Sequence, residues 1–167
     1  EFRRVLFRSL LACARFADAG ESARPHLDMA WLRDQSVQVL RVDRDGARRT
    51  DVPAPDAVPL GSLWKLFVHA FLAERRIEPS PYVCRGGAPA VQKEERYCCE
   101  PGQSVGRDAA LVRSCGLFFE PARLGITAGA WREFWTPHAG GAAAWLAGLD
   151  AMRPERSVSV PALLAAL

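Results

Sequence analysis

Apolar and polar residues alternate in the first part of the chain. Residues 27–32 are mostly apolar, and after a polar stretch residues 37–42 alternate at a period of two. This pattern is typical of two half-buried strands joined by a hairpin turn. The segment 43–46 gives a second turn signal, and residues 48–52 predict a short third strand.

The periodicity becomes helical after residue 60. Prolines between 53 and 59 exclude regular structure just before it. Residues 63–76 contain neither proline nor glycine, so they predict a helix that begins at about Ser62 and ends before Pro79. With the strands, this predicts an α+β fold. Shorter helices are predicted over 104–112, 117–124, 131–135 and 142–152.

Four of the five cysteines lie close together, at Cys84, Cys98, Cys99 and Cys115. Adjacent cysteines fit the spacing of zinc ligands poorly, so no metal site is predicted. Disulfides indicate an oxidising compartment such as the periplasm, while buried free thiols are the alternative. The pairing does not follow from the sequence; we expect Cys84 to pair with Cys98 or Cys99, stapling a ribbon formed by 82–84 and 96–99.

The bulk composition narrows the class of protein. With 167 residues, 49% of them hydrophobic and 25% charged, the chain has the composition of one globular domain. No apolar run is long enough to predict a membrane span. The net charge is +3 and basic residues are scattered, so nucleic-acid binding is not predicted. All basic residues except Lys65 and Lys93 are arginine, which is typical of a GC-rich bacterial genome.

The two ends of the chain affect how its domains are divided. Residues 1–9 resemble a translated sequencing adapter and are excluded from the fold prediction. Residues 10–26 are interpreted as a linker or a remnant of an upstream region. The last residues are apolar and carry no stop signal, so we interpret 27–167 as a truncated domain.

A candidate reaction centre lies at the start of the predicted long helix, where Ser62 and Lys65 form an S-x-x-K motif. Residues three apart on a helix share a face, so the lysine amine can reach the serine hydroxyl. A serine is a weak nucleophile that needs a neighbouring base, and a buried lysine can act as one, whereas arginine stays protonated. The alternative is a capping serine followed by a surface lysine, and composition predicts about 0.1 such motifs by chance.

The surrounding residues resemble known serine acyl-transfer enzymes. The segment PLGSLWKLFVHAFL is similar to the nucleophile segment of penicillin-binding proteins and class D β-lactamases. Further on, AALVRSCGLFFEPARLGI resembles their second motif, with Ser114 at its serine and Gly116 where those families have Asn or Asp. The resemblance implies a partial penicillin-binding-like domain, with an N-terminal hairpin, a mostly helical subdomain and the C-terminal sheet strands missing.

The resemblance also implies roles for these residues. Ser62 would be the nucleophile, Lys65 its base and Ser114 a proton shuttle to the leaving group. Gly116 lacks the side chain expected to contact a substrate amide, and no Lys-Thr-Gly motif is present to complete the oxyanion site. The implied substrates are peptidoglycan peptides or β-lactams, with no cofactor.

A second resemblance is to a secreted bacterial family of unknown function, associated with bacterial α2-macroglobulin-like proteins, on the segments GSLWKLF, YCC-x-PG and RSCG. Three functions stay open from the sequence. The first is a periplasmic or secreted serine acyltransferase or hydrolase, and the second is an inactive envelope module of the same fold that binds other envelope proteins. The third is a disulfide-stabilised domain in which the S-x-x-K motif is accidental.

Overall fold

The computed structural model describes residues 11–14, 26–34, 36–50, 52–86 and 98–167. The expectation for residues 1–9 lies outside these ranges. The chain divides into two compact units, one formed by residues 1–58 with 157–167 and the other by residues 59–156.

The first unit contains an antiparallel sheet. Strands β1 (Leu11–Ala14), β2 (His26–Arg33), β3 (Ser36–Asp43) and β4 (Arg48–Arg49) are hydrogen-bonded in that order. The alternating pattern predicted β2 and β3 and the turn between them, and Asp34 takes a left-handed conformation at that turn (φ +49°). The outer strand β1 was not predicted, since it falls in the segment interpreted as a linker.

One face of this sheet is buried. Ala30 of β2 lies opposite Val39 of β3, and both side chains are buried. On the same face Asp28 accepts two hydrogen bonds of 2.7 Å from its cross-strand partner Arg41. These two hydrogen bonds offset the free-energy cost of burying the Asp28 carboxylate.

A C-terminal helix, α5 (Val160–Ala166), packs against strands β2 and β3. Its first turn is capped by the Ser159 hydroxyl, which accepts from the Ala162 backbone N–H at 3.3 Å. The short strands β5 (Val58–Pro59) and β8 (Ser157–Val158) form a separate two-stranded sheet.

The second unit is mostly helical. Its longest helix is α1 (Leu63–Glu74), close to the predicted span. Strands β6 (Tyr82–Val83) and β7 (Ser104–Val105) form an antiparallel pair. They are followed by α2 (Arg107–Val112), α3 (Gly116–Phe119), α4 (Ala128–Trp135) and two 3-10 helices at Gly141–Ala147 and Leu149–Ala151.

Aromatic side chains hold α1 in this unit. Phe67 makes an edge contact with Trp145 at 5.5 Å between ring centroids, and Phe71 lies 5.3 Å from Trp131. Trp131 is fully buried and its indole N–H donates to the Leu146 carbonyl at 2.8 Å. Such aromatic pairs add about 0.5–1.5 kcal/mol each beyond the apolar area that they bury. The apolar face of α1 is therefore firmly fixed.

Four sequence predictions about this unit need correction. The ribbon expected between 82–84 and 96–99 forms instead between β6 and β7, while residues 96–97 lie outside the described ranges. Because Ser104 and Val105 pair as a strand, the helix predicted from Ser104 begins only after the extended Gly106. The predicted helix 117–124 ends at Phe119, just before Pro121, and the segment 142–152 forms 3-10 helices interrupted at Gly148.

Candidate active site

The chain enters α1 through a turn that requires glycine. Gly61 has φ +51°, in the left-handed region where an L side chain is strained. The turn is anchored by the Leu60 and Gly61 backbone N–H groups, which donate to the Arg156 and Pro154 carbonyls at 2.8 and 3.0 Å. This backbone frame sets the position of Ser62.

Ser62 does not behave as an ordinary capping serine. It occupies the N-cap position of α1, but its side chain makes no capping hydrogen bond and its backbone is already helical (φ −73°, ψ −9°). Its hydroxyl instead lies 3.1 Å from Lys65 Nζ and 2.9 Å from Ser114 Oγ. The alternative of a capping serine with a surface lysine therefore does not describe this pair.

Lys65 is buried below two exposed serines. Only 9% of its surface is accessible, whereas Ser62 and Ser114 are both exposed. Its Nζ lies 2.7 Å from the Ser114 carbonyl oxygen and 2.8 Å from Ser114 Oγ. An ammonium can donate three hydrogen bonds, and the two hydroxyls and the carbonyl supply three acceptors.

The same contacts suit the neutral amine. Two N–H groups can donate to the carbonyl and hydroxyl of Ser114, which leaves the nitrogen lone pair facing the Ser62 hydroxyl at 3.1 Å. This lies within the 2.6–3.2 Å reach of a general base. The site can therefore hold a proton on either Lys65 or Ser62 without losing a hydrogen-bonding partner.

Ser114 owes its position to the way α2 ends. The Ser114 N–H donates to the Leu111 carbonyl at 3.0 Å and the Cys115 N–H to the Ala110 carbonyl at 2.8 Å. This is the Schellman arrangement, in which the residue after the cap takes the left-handed conformation and is usually glycine. Here that residue is Ser114 (φ +55°), which directs both its carbonyl and its hydroxyl to Lys65.

The left-handed conformation alone does not mark Ser114 as functional. Arg76 closes α1 in the same way (φ +53°), with its N–H donating to Ala73 and that of Ile77 to Leu72. What distinguishes Ser114 is the use made of the conformation, namely two contacts to a buried lysine. Strained backbone at such a place is a frequent property of functional sites.

Gly116 lies next to this cluster. A Cβ built on it would lie 3.7 Å from Lys65 Cε and 3.9 Å from Trp64 Cζ2. These are ordinary van der Waals distances, so there is room for a side chain at the position where the similar families carry Asn or Asp. The space beside the amine is thus open in this chain.

Two disulfides lie in this unit, and one of them includes Cys115, the residue after Ser114. Cys84 pairs with Cys99 and Cys98 with Cys115, at Cα separations of 6.1 and 4.6 Å. The prediction of disulfides is confirmed, and Cys99 is the partner of Cys84. The sulfurs of Cys84, Cys98 and Cys99 lie within 4.8 Å of one another, but all three are committed to disulfides and are not available as a thiolate set for a metal.

A polar network connects α1 to α2 beside the cluster. Asp108 accepts from Arg107 Nε at 2.9 Å and lies 3.0 Å from His69 Nε2, one helical turn beyond Lys65. Arg107 also donates to Glu78 at 2.7 Å. The hydrogen bond from Arg107, followed by that from His69, lowers the pKa of Asp108 to about 2. No sequence pattern predicts the contact between His69 and Asp108, which are 39 positions apart.

Comparison with known proteins finds similarity to a family described as secreted, and the descriptions of the matching proteins name no activity. Residues 90–167 match a family described as "Predicted secreted protein (DUF2300)". The chain is also 45% identical over 135 residues to "Uncharacterized protein YfaQ" of Escherichia coli (strain K12), a match that covers 80% of this chain and 23% of that protein. The chain thus spans about a quarter of the length of this curated relative. No solved structure matches the chain.

These matches agree with the second resemblance, to a secreted bacterial family without an assigned activity, and neither names a penicillin-binding fold. The family description and the two disulfides place the protein outside the cytoplasm, as the cysteines predicted. None of the helices in the described ranges combines the length and apolar character that a bilayer crossing requires.

Proposed function

We propose that the protein is a serine acyltransferase or hydrolase of the bacterial envelope, with Ser62 as nucleophile. The observation that carries this proposal is the mutual contact of Ser62, Lys65 and Ser114, whose side-chain polar atoms lie 2.8–3.1 Å from one another. Two exposed hydroxyls over a buried amine provide an accessible nucleophile, a base and a relay.

The first step would be acylation of Ser62. Its Oγ attacks the carbonyl carbon of an amide while its proton passes to the neutral Lys65 amine. As the carbon–nitrogen bond breaks, the Ser114 hydroxyl gives its proton to the leaving nitrogen and takes one from the Lys65 ammonium. The net result is an acyl ester on Ser62, a free amine and Lys65 restored to its neutral form.

The second step would return the enzyme to its starting state. Water, or an acceptor amine, attacks the ester carbonyl and transfers a proton to Ser62 through Lys65. Hydrolysis releases a carboxylic acid, whereas an amine acceptor gives a new amide. The similar families suggest that the substrate is a peptidoglycan-type peptide or a β-lactam, on a partial penicillin-binding-like fold.

A covalent probe tests this proposal directly. The full-length protein is incubated with a fluorescent penicillin or a fluorophosphonate and analysed by intact-protein mass spectrometry. We expect one adduct, which proteolysis assigns to Ser62 and which is absent from Ser62→Ala. The Ser36→Ala variant is a suitable control, since Ser36 begins β3 in the other unit. If no probe reacts, or if the adduct survives Ser62→Ala, the proposal is wrong.

Gly116 supports a second candidate, an inactive envelope module of the same fold that binds other proteins. Without a side chain at this position, the site lacks the group that contacts a substrate amide in the similar families. A Lys65→Arg variant separates the two candidates, because arginine keeps the charge but cannot accept a proton. An unchanged cellular phenotype in that variant favours the binding module, and a phenotype equal to that of Ser62→Ala favours the enzyme.

A further inference from the structure

We propose that the Cys98–Cys115 disulfide is a positioning element of the site, and that the reactivity of Ser62 depends on it but not on the Cys84–Cys99 disulfide. This inference rests on the proposed function for its activity readout. A spectroscopic measurement that does not require activity tests the positioning role separately from the proposed function.

Cys115 lies at the place in the chain where the conformation of Ser114 is set. It directly follows Ser114, and its N–H donates the 2.8 Å hydrogen bond to Ala110 that closes the left-handed turn. Both Cys98 and Cys115 are buried, each with 1% of its surface accessible. The disulfide therefore anchors the residue whose backbone holds Ser114 in its strained conformation.

Without this disulfide, the end of α2 is weakly anchored. The helix has six residues, and Ala110 is its one buried residue, while Val112 at its end is 87% exposed. Helices this short are not stable by themselves and depend on tertiary contacts. By contrast, α1 closes with the same motif at Arg76 but has twelve residues and buries six side chains. The start of α2 is held by the contacts of Arg107 with Glu78 and of Asp108 with His69, and the disulfide is the covalent anchor at its end.

The Cys98–Cys115 disulfide also determines the position of the Ser114 oxygens that contact Lys65. Ser114 supplies two of the oxygens around Lys65 Nζ, its carbonyl at 2.7 Å and its hydroxyl at 2.8 Å. If the segment after α2 relaxes, both oxygens leave together. Lys65 and Ser62 belong to one helix start and keep their contact, so the relay of the proton to the leaving group is lost while the nucleophile and base remain.

The second disulfide is a matched control. Cys84–Cys99 closes 15 residues and Cys98–Cys115 closes 17, so their effects on the entropy of the unfolded chain are nearly equal. Cys98 and Cys99 are neighbours, so each double variant removes one cysteine from the same turn. Cys84 follows β6, and neither Cys84 nor Cys99 is adjacent to Ser62, Lys65 or Ser114 in sequence.

The experiment compares Cys98→Ala/Cys115→Ala with Cys84→Ala/Cys99→Ala in the full-length protein. The probe is the fluorescent penicillin, because its leaving group is a nitrogen that must be protonated, whereas a fluorophosphonate expels fluoride. The rate constant for adduct formation and the penicillin concentration at half-maximal rate are measured separately. We expect the first variant to lose about 10²-fold in the rate constant with an unchanged half-saturating concentration, as for loss of a proton relay. The control variant should keep the wild-type values. Equal losses in both variants would overturn the inference.

The second readout follows Lys65 itself. Carbon-13 labelling of lysine gives an ε-methylene signal for Lys65, which is assigned as the signal that disappears in Lys65→Arg. The Lys65 signal should move in the Cys98/Cys115 variant and stay in place in the Cys84/Cys99 variant. If Lys65 moves although no variant and no wild-type protein reacts with the probe, the proposed function fails and the positioning role stands.

A titration of the wild-type protein covers the case in which a variant does not fold. Increasing amounts of a phosphine reductant are added, and alkylation with mass spectrometry reports which disulfide has opened. We expect loss of reactivity and movement of the Lys65 signal to follow opening of Cys98–Cys115 while tryptophan fluorescence stays native. Loss that follows Cys84–Cys99, or no loss with Cys98–Cys115 open, contradicts the inference.

Discussion

Lys65 donates to Ser114 twice, once to its hydroxyl and once to its backbone carbonyl, across 49 positions of sequence. The double contact is possible because Ser114 is left-handed, so its carbonyl and side chain face the same nitrogen. The buried Lys65 amine is thereby provided with two oxygen partners from a single residue.

The first prediction separates the conformation of Ser114 from its hydroxyl. Glycine relieves the left-handed strain, which costs an L residue about 1 kcal/mol, but removes the hydroxyl from Lys65. We therefore expect Ser114→Gly to be less stabilising than Arg76→Gly, which relieves the same strain with no site contact to lose. Ser114→Ala keeps the strain and loses the hydroxyl, so it should be the least stable of the three. Chemical denaturation measures these free energies of unfolding, and equal gains for the two glycine variants would contradict the prediction.

The second prediction concerns the role of Ser62 in its helix. Loss of a capping serine usually costs about 0.5–2 kcal/mol, but Ser62 makes no capping bond. Ser62→Ala removes an exposed hydroxyl and leaves Lys65 with its two oxygen partners on Ser114. We therefore expect it to cost less than Thr127→Ala, since the Thr127 hydroxyl caps α4 by accepting from Ala130 at 3.2 Å. Thermal or chemical unfolding of both variants provides the comparison. A Ser62→Ala cost equal to or larger than that of Thr127→Ala would contradict the prediction.

The sequence predicted the contacts that arise from a regular spacing of residues within one helix or strand. The S-x-x-K spacing placed Ser62 and Lys65 together because a helix brings residues three apart onto one face. The hairpin of β2 and β3 followed from its alternation. Ser114 could be placed only through resemblance, because its approach to Lys65 depends on packing between helices.

Other features had no signal in the sequence. The Ser114 carbonyl contacts Lys65 through the backbone, which every residue possesses, so its identity cannot reveal the contact. The capping pattern at Ser104 predicted the start of a helix. The structure has a strand there because pairing with β6 overrides this local preference. The pairing of Cys98 with Cys115 depends on packing that brings the segment after α2 beside Cys98, and local sequence patterns carry no information about such packing.

The third prediction concerns Lys65 as a base. Lys65→Arg keeps a positive charge but cannot accept a proton, so we expect adduct formation at Ser62 to fall by about 10²–10⁴-fold. The measurement is the rate of probe labelling by mass spectrometry, with circular dichroism to confirm folding. Lys93→Arg is the matched control and should label at the wild-type rate. A Lys65→Arg rate equal to that of the wild type would exclude a role in proton transfer.

The fourth prediction concerns the open space at Gly116. Since a Cβ there makes only ordinary contacts with Lys65 and Trp64, Gly116→Ala should fold normally, with a change in stability within about 1 kcal/mol. Gly116→Asn adds an amide beside the amine and should increase labelling by a fluorescent penicillin above that of Gly116→Ala. Equal labelling of the two variants would show that position 116 does not face the bound probe.

The last prediction concerns the network beside the site and its dependence on pH. The pKa of Asp108 is lowered to about 2, first by the hydrogen bond from Arg107 and then by that from His69. Because the folded pKa lies below the ordinary value of 3.8, the contribution of Asp108 to stability is present above pH 3.8 and is lost as the pH falls through about 2. A carboxyl NMR titration should therefore show a midpoint near 2. Arg107→Gln should raise the midpoint, while Arg132→Gln, on α4, should leave it unchanged. A midpoint near 3.8 in the wild-type protein would show that the Arg107–Asp108–His69 contacts do not persist in solution.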